Sequence, residues 1–167
     1  MSELTLPKID KNIISKKSLI VKKLKNLTNP NNVLSDLDEI KPYETDALAA
    51  YKQTPLAVVL PENTKEVSEI MKFCYSEDVK VIPRGAGTGL SGGALPLQDA
   101  VIVGLGKFNK ILEIDFQNKC VVTQPGVTNL AITHAVQHEG YYYAPDPSSQ
   151  LACSIGGNVA ENSGGVH

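Results

Sequence analysis

The chain has 167 residues, 42% of them hydrophobic and 20% charged, with a formal net charge of −2. These values are typical of one globular domain with a sizeable core, and the near-neutral charge gives no electrostatic basis for binding nucleic acid. The cysteines Cys74, Cys120 and Cys153 are odd in number, widely spaced and form no CxxC pair, so neither a disulfide framework nor a cysteine-ligated zinc site is implied.

Residues 1–54 differ from the rest of the chain and are predicted to form an N-terminal helical extension. Seven lysines between Lys8 and Lys25 alternate with apolar residues at near-helical spacing. The apolar positions are Ile13, Ile14, Leu19, Ile20, Leu24 and Leu27. This pattern predicts an amphipathic helix that packs against the protein rather than one that lies on a membrane surface. The turn-forming run at residues 29–32 ends it.

After Pro55 the pattern changes to that of a strand, a helix and a second strand. Residues 57–60 form a short apolar run that predicts a buried strand, and residues 80–83 predict the next one. Between them, Thr64 is predicted to cap a helix. Its inner face is expected to hold Val67, Ile70, Met71 and Cys74. Such a unit predicts a parallel pair of strands joined by a right-handed crossover.

The second half of the chain predicts further strands and one more helix. Residues 100–105 predict a strand, and residues 111–116 and 120–123 predict the two arms of a hairpin. Thr128 is a candidate cap for the following helix, which Gly140 ends. Its inner face is expected to hold Leu130, Ile132, Ala135 and Val136.

The central motif is a glycine-rich stretch, here called the first glycine loop. It consists of Pro83, Arg84, Gly85, Ala86, Gly87, Thr88, Gly89, Leu90, Ser91, Gly92 and Gly93. Glycines at this density let several backbone N–H groups converge on an anion, and the Thr88 and Ser91 hydroxyls add donors. Arg84 is the one Arg among sixteen basic residues, and its planar guanidinium suits a phosphate or carboxylate. A flexible surface loop is the alternative.

Two nucleotide-binding motifs are tested against this loop. Gly87, Gly89 and Gly92 match the dinucleotide pattern GxGxxG. That pattern requires a helix to open at the loop, whereas the residues that follow indicate a strand. A phosphate loop of the Walker type requires a Lys-Ser or Lys-Thr at the end of the glycine run, and none follows these glycines.

Two later stretches complete the candidate site. The first, called the proline segment, is Pro145, Asp146, Pro147, Ser148 and Ser149. The other, called the second glycine segment, runs over residues 154–165 and includes Ser154, Ile155, Gly156, Gly157, Asn158, Ala160, Asn162, Ser163, Gly164 and Gly165. Two separated stretches rich in backbone and hydroxyl donors suit a long diphosphate ligand held from both sides.

These motifs, together with Pro125 and Gly126, resemble the FAD-binding domain of the vanillyl-alcohol-oxidase/PCMH superfamily. Within that superfamily, residues 43–46, 50–51, 55–61 and 153–162 are similar to the FAD-linked, D-type subunits of glycolate oxidase. The resemblance implies an α+β, PCMH-type FAD-binding domain of two subdomains over residues 55–167. The smaller carries parallel strands, the larger a mixed or antiparallel sheet, and the flavin lies between them.

The resemblance also implies a function for each motif. The first glycine loop would hold the diphosphate of FAD. Pro125, Gly126 and the proline segment would lie along the adenosine and isoalloxazine portions, and the second glycine segment would pass beside the flavin. Covalently flavinylated members carry a His in the first glycine loop, and because residues 83–93 contain none, non-covalent FAD is expected.

For the complete protein, the resemblance implies a dehydrogenase of small 2-hydroxy acids, with glycolate as first candidate substrate and D-lactate as second. A hydride would pass from substrate C2 to flavin N5. The expected partners are iron–sulfur and second flavin-type subunits of a glycolate oxidase complex. The substrate cap domain and the catalytic residues are expected beyond His167, outside this chain. A free-standing, non-catalytic FAD or dinucleotide-binding module is the alternative.

The remaining candidates point to ordinary structural roles. His134 and His138 have i, i+4 spacing, but no acidic or Cys-rich partner segment accompanies them, so no metal site is predicted. Residues 141–143 are three tyrosines that suit either ring stacking or packing. No apolar run approaches the roughly 20 residues that span a membrane, and no secretory or Arg-rich transit segment is recognised. A cytoplasmic location is therefore expected, with any membrane attachment through partner subunits.

Overall fold

The computed structural model describes residues 7–166. Residues 1–6 of the predicted N-terminal extension and His167 of the predicted FAD-binding domain lie outside the described residues. Helices and strands follow in the order α1 (Lys11–Ser15), α2 (Lys17–Lys25), β1 (Val33–Leu34), α3 (Leu37–Ile40), β2 (Ala57–Val59), α4 (Thr64–Ser76), β3 (Lys80–Arg84), β4 (Ala100–Gly104), β5 (Ile111–Asp115), β6 (Cys120–Thr123), α5 (Asn129–Val136) and α6 (Ile155–Glu161).

Four strands form one sheet in the order β1-β2-β4-β3, with β2 and β3 both parallel to β4 and β1 antiparallel to β2. The predicted strand–helix–strand unit is therefore parallel, but its two strands are not neighbours, because β4 lies between them. All five residues of β4 are buried, as a central strand between two packed faces requires. In contrast, β3 carries exposed Lys80 and Pro83, and a strand with proline suits the edge position.

Apolar residues on alternate positions of the central strands form a core on each face of the sheet. One cluster joins Val59 and Val101 to residues of the N-terminal helices and α4, including Leu24 and Ile70. The opposite cluster joins Val58 and Ile102 to Ile40, with Tyr43 packed against it. The sheet is thus covered on both faces, and the first glycine loop begins at the end of its edge strand β3.

The predicted N-terminal helix does pack on the core, but it consists of two helices that meet at Lys16. Ile13, Ile20 and Leu24 are buried because their spacings of seven and four residues put them on one helical face, whereas Ile14 and Leu19 lie about 100° away from it and are exposed. The lysine-rich face remains toward solvent.

Two details of α4 differ from the prediction. Asn63, not Thr64, is the N-cap, and its side chain accepts a hydrogen bond from the backbone N–H of Glu66 at 3.0 Å. An Asn is a strong cap, so the helix starts one residue after it. On the inner face Ile70 and Cys74 are buried, but Met71 is 46% exposed because it lies about 100° around the helix from Ile70.

β5 and β6 form a separate antiparallel hairpin, as predicted, and α5 follows with Thr128 as its cap. Ile132 and Val136 are buried on the inner face of α5, and Gly140 has the left-handed φ of 77° expected where a helix ends. A sheet with three parallel strands and one antiparallel edge strand, together with a separate antiparallel hairpin, confirms the predicted α+β class. None of the helices within residues 7–166 is long and apolar enough to cross a membrane.

Candidate functional site

The first glycine loop leaves the edge strand β3, and the next regular element is the strand β4. This arrangement removes the helix N-terminus that a GxGxxG dinucleotide site requires. Gly87 and Gly92 have positive φ angles of 75° and 77°, so the chain bends at both positions in a conformation that glycine adopts without strain.

The backbone amides of this loop are available to a ligand. Within residues 7–166, none of the nine N–H groups from Gly85 to Gly93 donates a hydrogen bond to a protein acceptor. The residues of the loop are half-buried to exposed, so water or a bound molecule can reach the loop. A concentration of unpaired backbone donors on a curved loop is the geometry of an anion-binding nest.

The guanidinium of Arg84 lies against protein groups. Its Nη1 donates to the carbonyl of Thr45 at 2.8 Å and to that of Ala94 at 3.5 Å. The same group lies 5.5 Å from the centre of the Tyr43 ring. Burial lowers the pKa of Arg84, and the electrostatic interactions with Asp46 and Tyr43 partly offset this effect. An arginine remains charged after such a shift.

No helix is predicted within the second glycine segment, but residues 155–161 of it form α6. Gly156 and Gly157 have low helix propensity, so residue preferences alone do not predict this short helix. Their small size serves packing instead. A Cβ built on Gly156 would lie 2.7 Å from Cβ and 3.0 Å from the carbonyl oxygen of Pro125, so only glycine fits this contact.

The two glycine-rich stretches touch each other. A Cβ on Gly85 would overlap the Ser154 hydroxyl and lie 3.9 Å from Cα of Gly157. At the other end of the loop, a Cβ on Gly93 would lie 3.0 Å from Oε1 of Glu161. The first glycine loop and α6 therefore form one continuous surface, with a carboxylate at its edge.

Pro125 and Gly126 join this surface to the rest of the fold. Pro125 accepts a hydrogen bond from the N–H of Gly156 at 2.9 Å, and Val127 accepts one from Ile155 at 2.7 Å. Gly126 donates to the carbonyl of Phe108 at 2.8 Å. The start of α6 is thus fixed to the chain that precedes α5.

The proline segment folds back onto the end of the second glycine segment. The N–H of Asp146 donates to the carbonyl of Gly164 at 3.0 Å, and Oδ1 of Asp146 accepts from the N–H of Val166 at 3.0 Å. The side chain of Asn129 donates to the carbonyl of Pro145 at 3.1 Å. All the predicted site segments therefore lie in one connected region.

Within that region two buried polar atoms have no hydrogen-bond partner among the described residues. They are Oδ1 of Asn129 and Nδ2 of Asn158. Buried polar atoms are nearly always paired, so these two fit a site completed by a polar ligand. The residues present thus suit a long ligand whose phosphates accept from the loop amides and whose polar ring atoms include both a donor and an acceptor.

The other predicted site residues lie on the exposed side of the same region. Asn162 ends α6 with a left-handed φ of 54°. Exposed or half-buried positions include Ala86, Thr88, Leu90, Ser91, Ser148, Ser149, Ala160 and Ser163.

The three tyrosines line a cavity of about 330 Å³ beside the hairpin rather than the first glycine loop. The ring of Tyr141 is tilted against Phe116, with centroids 5.8 Å apart, which is a packing contact. Burial raises the pKa of Tyr143, and Cys153 adds to the shift. His134 and His138 are exposed. Within residues 7–166 no group of three metal-binding side chains is close enough to hold an ion.

Sequence reasoning did not assign a site role to Tyr43, Thr45 and Asp46, which the fold brings to Arg84, nor to Glu161. Residues 43–46 carried one signal, since they were among the stretches that supported the family resemblance.

Known proteins match this chain over most of its length. Glycolate oxidase subunit GlcD of Escherichia coli (strain K12) is 55% identical over 135 residues, which are 81% of this chain and 27% of that protein. The mitochondrial D-2-hydroxyglutarate dehydrogenase of Arabidopsis thaliana is 35% identical over 142 residues, 85% of this chain and 25% of that protein. The chain thus spans about a quarter of the length of these relatives.

A solved structure of alkyldihydroxyacetonephosphate synthase superposes with a TM-score of 0.76 at 21% identity, covering 95% of this chain and 30% of that one. This similarity shows the shared fold. The family model described as "FAD binding domain" matches residues 55–167, well over half of the chain. The chain therefore belongs to the FAD-binding domain family.

Proposed function

We propose that this chain forms the FAD-binding part of a flavin-dependent dehydrogenase that oxidises a small 2-hydroxy acid. The first candidate substrate is glycolate and the second is D-lactate. The observation that carries the proposal is the row of nine unpaired amides in the first glycine loop, packed against α6 through Gly85. Backbone donors on such a loop suit a diphosphate.

The names of the relatives support the reaction class. Glycolate oxidase and D-2-hydroxyglutarate dehydrogenase both act on 2-hydroxy acids by name. When bound, FAD would supply the acceptor for a hydride from substrate C2. The residues of this chain would bind and orient the cofactor. The groups that bind the substrate carboxylate and take its proton are proposed to lie outside it.

In this proposal the amides of residues 85–93 hold the diphosphate. Asn158 supplies a buried amide donor from α6, and the proline segment together with Gly164 and Gly165 borders the ligand. Because the first glycine loop has no His, the cofactor is held without a covalent bond. The expected partners remain iron–sulfur and second flavin-type subunits, and a cytoplasmic location remains a prediction.

A flavin titration of the gene product, whatever its full length, tests the proposal. We expect saturable quenching of FAD fluorescence, none of it displaced by excess NAD, and release of all flavin after acid denaturation. Binding of NAD but not FAD would overturn the cofactor assignment. Flavin that stays attached to the precipitate would overturn the non-covalent one.

The substrate is tested by anaerobic mixing with glycolate, D-lactate or D-2-hydroxyglutarate while flavin absorbance is followed. We expect bleaching with glycolate first. Faster bleaching with one of the other acids reassigns the substrate within the same reaction class. If FAD binds and none of the three acids bleaches it, the free-standing binding module is the better description.

A further inference from the structure

We propose that residues 43–46, which lie before the matched family residues 55–167, act as a brace that shapes the first glycine loop through the side chain of Arg84. In this role Arg84 is a positioning residue and not a phosphate ligand. The inference rests on the proposed function, since the loop is taken to bind the cofactor diphosphate.

A single nitrogen of Arg84 joins the brace to the far end of the loop. Nη1 donates both to the carbonyl of Thr45 and to the carbonyl of Ala94, which immediately follows Gly93. Arg84 itself opens the loop at the end of β3. The two ends of the loop are therefore tied to each other and to residue 45 by one guanidinium.

The middle of the loop also depends on this side chain. Gly87 has a φ of 75°, and a Cβ there would lie 2.6 Å from Cζ and 3.1 Å from Nε of Arg84. The backbone thus passes directly over the guanidinium, so a side chain at this position would displace it. The Arg84 side chain therefore packs against the loop backbone at Gly87, while the loop amides make no hydrogen bond to other protein groups in the described part of the chain.

The brace is itself held by contacts that do not involve the loop. Thr45 Oγ1 donates to the carbonyl of Tyr51 at 3.0 Å, and Asp46 Oδ1 accepts from the N–H of Leu48 at 2.9 Å. Tyr43 packs on the core cluster of Ile40, Val58 and Ile102. These contacts connect the loop, through Arg84, to the buried face of the sheet.

The charges fit a fixed guanidinium. Asp46 is 5% exposed and interacts electrostatically with Arg84, and the Tyr43 ring lies where a cation–π contact forms. A lysine in place of Arg84 would keep the charge. It has no planar group that could lie against the Tyr43 ring while a nitrogen donates to the two carbonyls.

The test compares Arg84→Lys, Tyr43→Leu and their combination, with Tyr43→Phe as the matched control that keeps the ring. The first readout needs no flavin. Thermolysin cleavage at the exposed Leu90 is timed in the flavin-free gene product, with circular dichroism to verify folding. We expect about tenfold faster cleavage in Arg84→Lys and in Tyr43→Leu, little further gain in the combination, and no change in Tyr43→Phe.

The second readout is the Kd for FAD, which we expect to rise about tenfold in the same variants, the size of one lost charge-assisted hydrogen bond. If Arg84→Lys keeps the wild-type cleavage rate and only FAD binding weakens, Arg84 contacts phosphate directly and the brace is wrong. Equal cleavage in Tyr43→Leu and wild type also overturns it. If the wild-type protein binds no FAD, the proposed function is wrong. The cleavage rates still test whether residues 43–46 and Arg84 hold the first glycine loop in place.

Discussion

Substituting Gly126 by alanine tests whether the candidate site depends on a close approach between backbone segments. The sequence predicts Gly126 as a cofactor contact, but its Cα faces the protein. A Cβ there would overlap the carbonyl oxygen of Leu105 and lie 2.8 Å from that of Phe108. Both obstacles are backbone atoms, and Gly126 itself donates to Phe108, so the strain cannot be relieved by rotating a side chain.

The magnitude follows from two opposing effects. Overpacking costs about 1–3 kcal/mol, whereas replacing glycine by alanine stabilises by about 0.4–1 kcal/mol through the unfolded state. Gly126 does not have a positive φ, so no backbone strain is added. The net loss is about 1–2 kcal/mol, and at about 2–4 °C per kcal/mol for a protein of this size the Tm falls by about 5 °C.

Gly106→Ala is the matched control, since its φ is also not positive and a Cβ there meets nothing within 4 Å. We expect it to melt at or slightly above the wild-type temperature. Thermal unfolding of the flavin-free protein, followed by circular dichroism, measures both variants. A Gly126→Ala protein that melts as high as Gly106→Ala would refute the close approach and the placement of this turn.

Three further outcomes are expected. Asp99, which is 1% exposed and accepts from Lys80 at 2.6 Å, has a pKa below its ordinary value because hydrogen bonds from Lys80 and the backbone outweigh the opposing effect of burial. The stabilisation by ionised Asp99 is therefore present above about pH 4 and is lost as pH falls through its lower folded pKa. We expect Asp99→Asn to lower the free energy of unfolding, measured in urea, by about 2 kcal/mol at pH 7 and by less toward pH 3. A loss that does not change with pH would contradict this explanation. Glu161→Gln should lower the Kd for FAD about threefold at low salt, because it removes a carboxylate beside the first glycine loop; weaker binding would place that carboxylate among the favourable contacts. A thiol reagent should label exposed Cys120 at pH 8 but not Cys74, since burial raises the Cys74 pKa to about 11, and rapid native labelling of Cys74 would count against its burial.

Much of the local structure follows from residues that are neighbours in sequence. The apolar run at 100–105, the hairpin over 111–123 and the Thr128 cap need only strand periodicity, a turn and a side chain that reaches three residues ahead. The structure confirms each of them. The motifs also identify the family, because the glycine-rich stretches carry their residue types in the sequence itself. That assignment needed no coordinates.

Strand order and the internal arrangement of the site depended on the tertiary fold. β3 pairs with β4 and not with β2, which precedes it in sequence, and the start of α6 is fixed by the close contact between Gly156 and Pro125. The partner of Arg84 is Thr45, 39 residues away. The residue type alone determines that a guanidinium prefers oxygen acceptors. Only the tertiary structure shows that the acceptors of the Arg84 guanidinium are backbone carbonyls. Contacts between residues far apart in sequence depend on how the elements pack around the core.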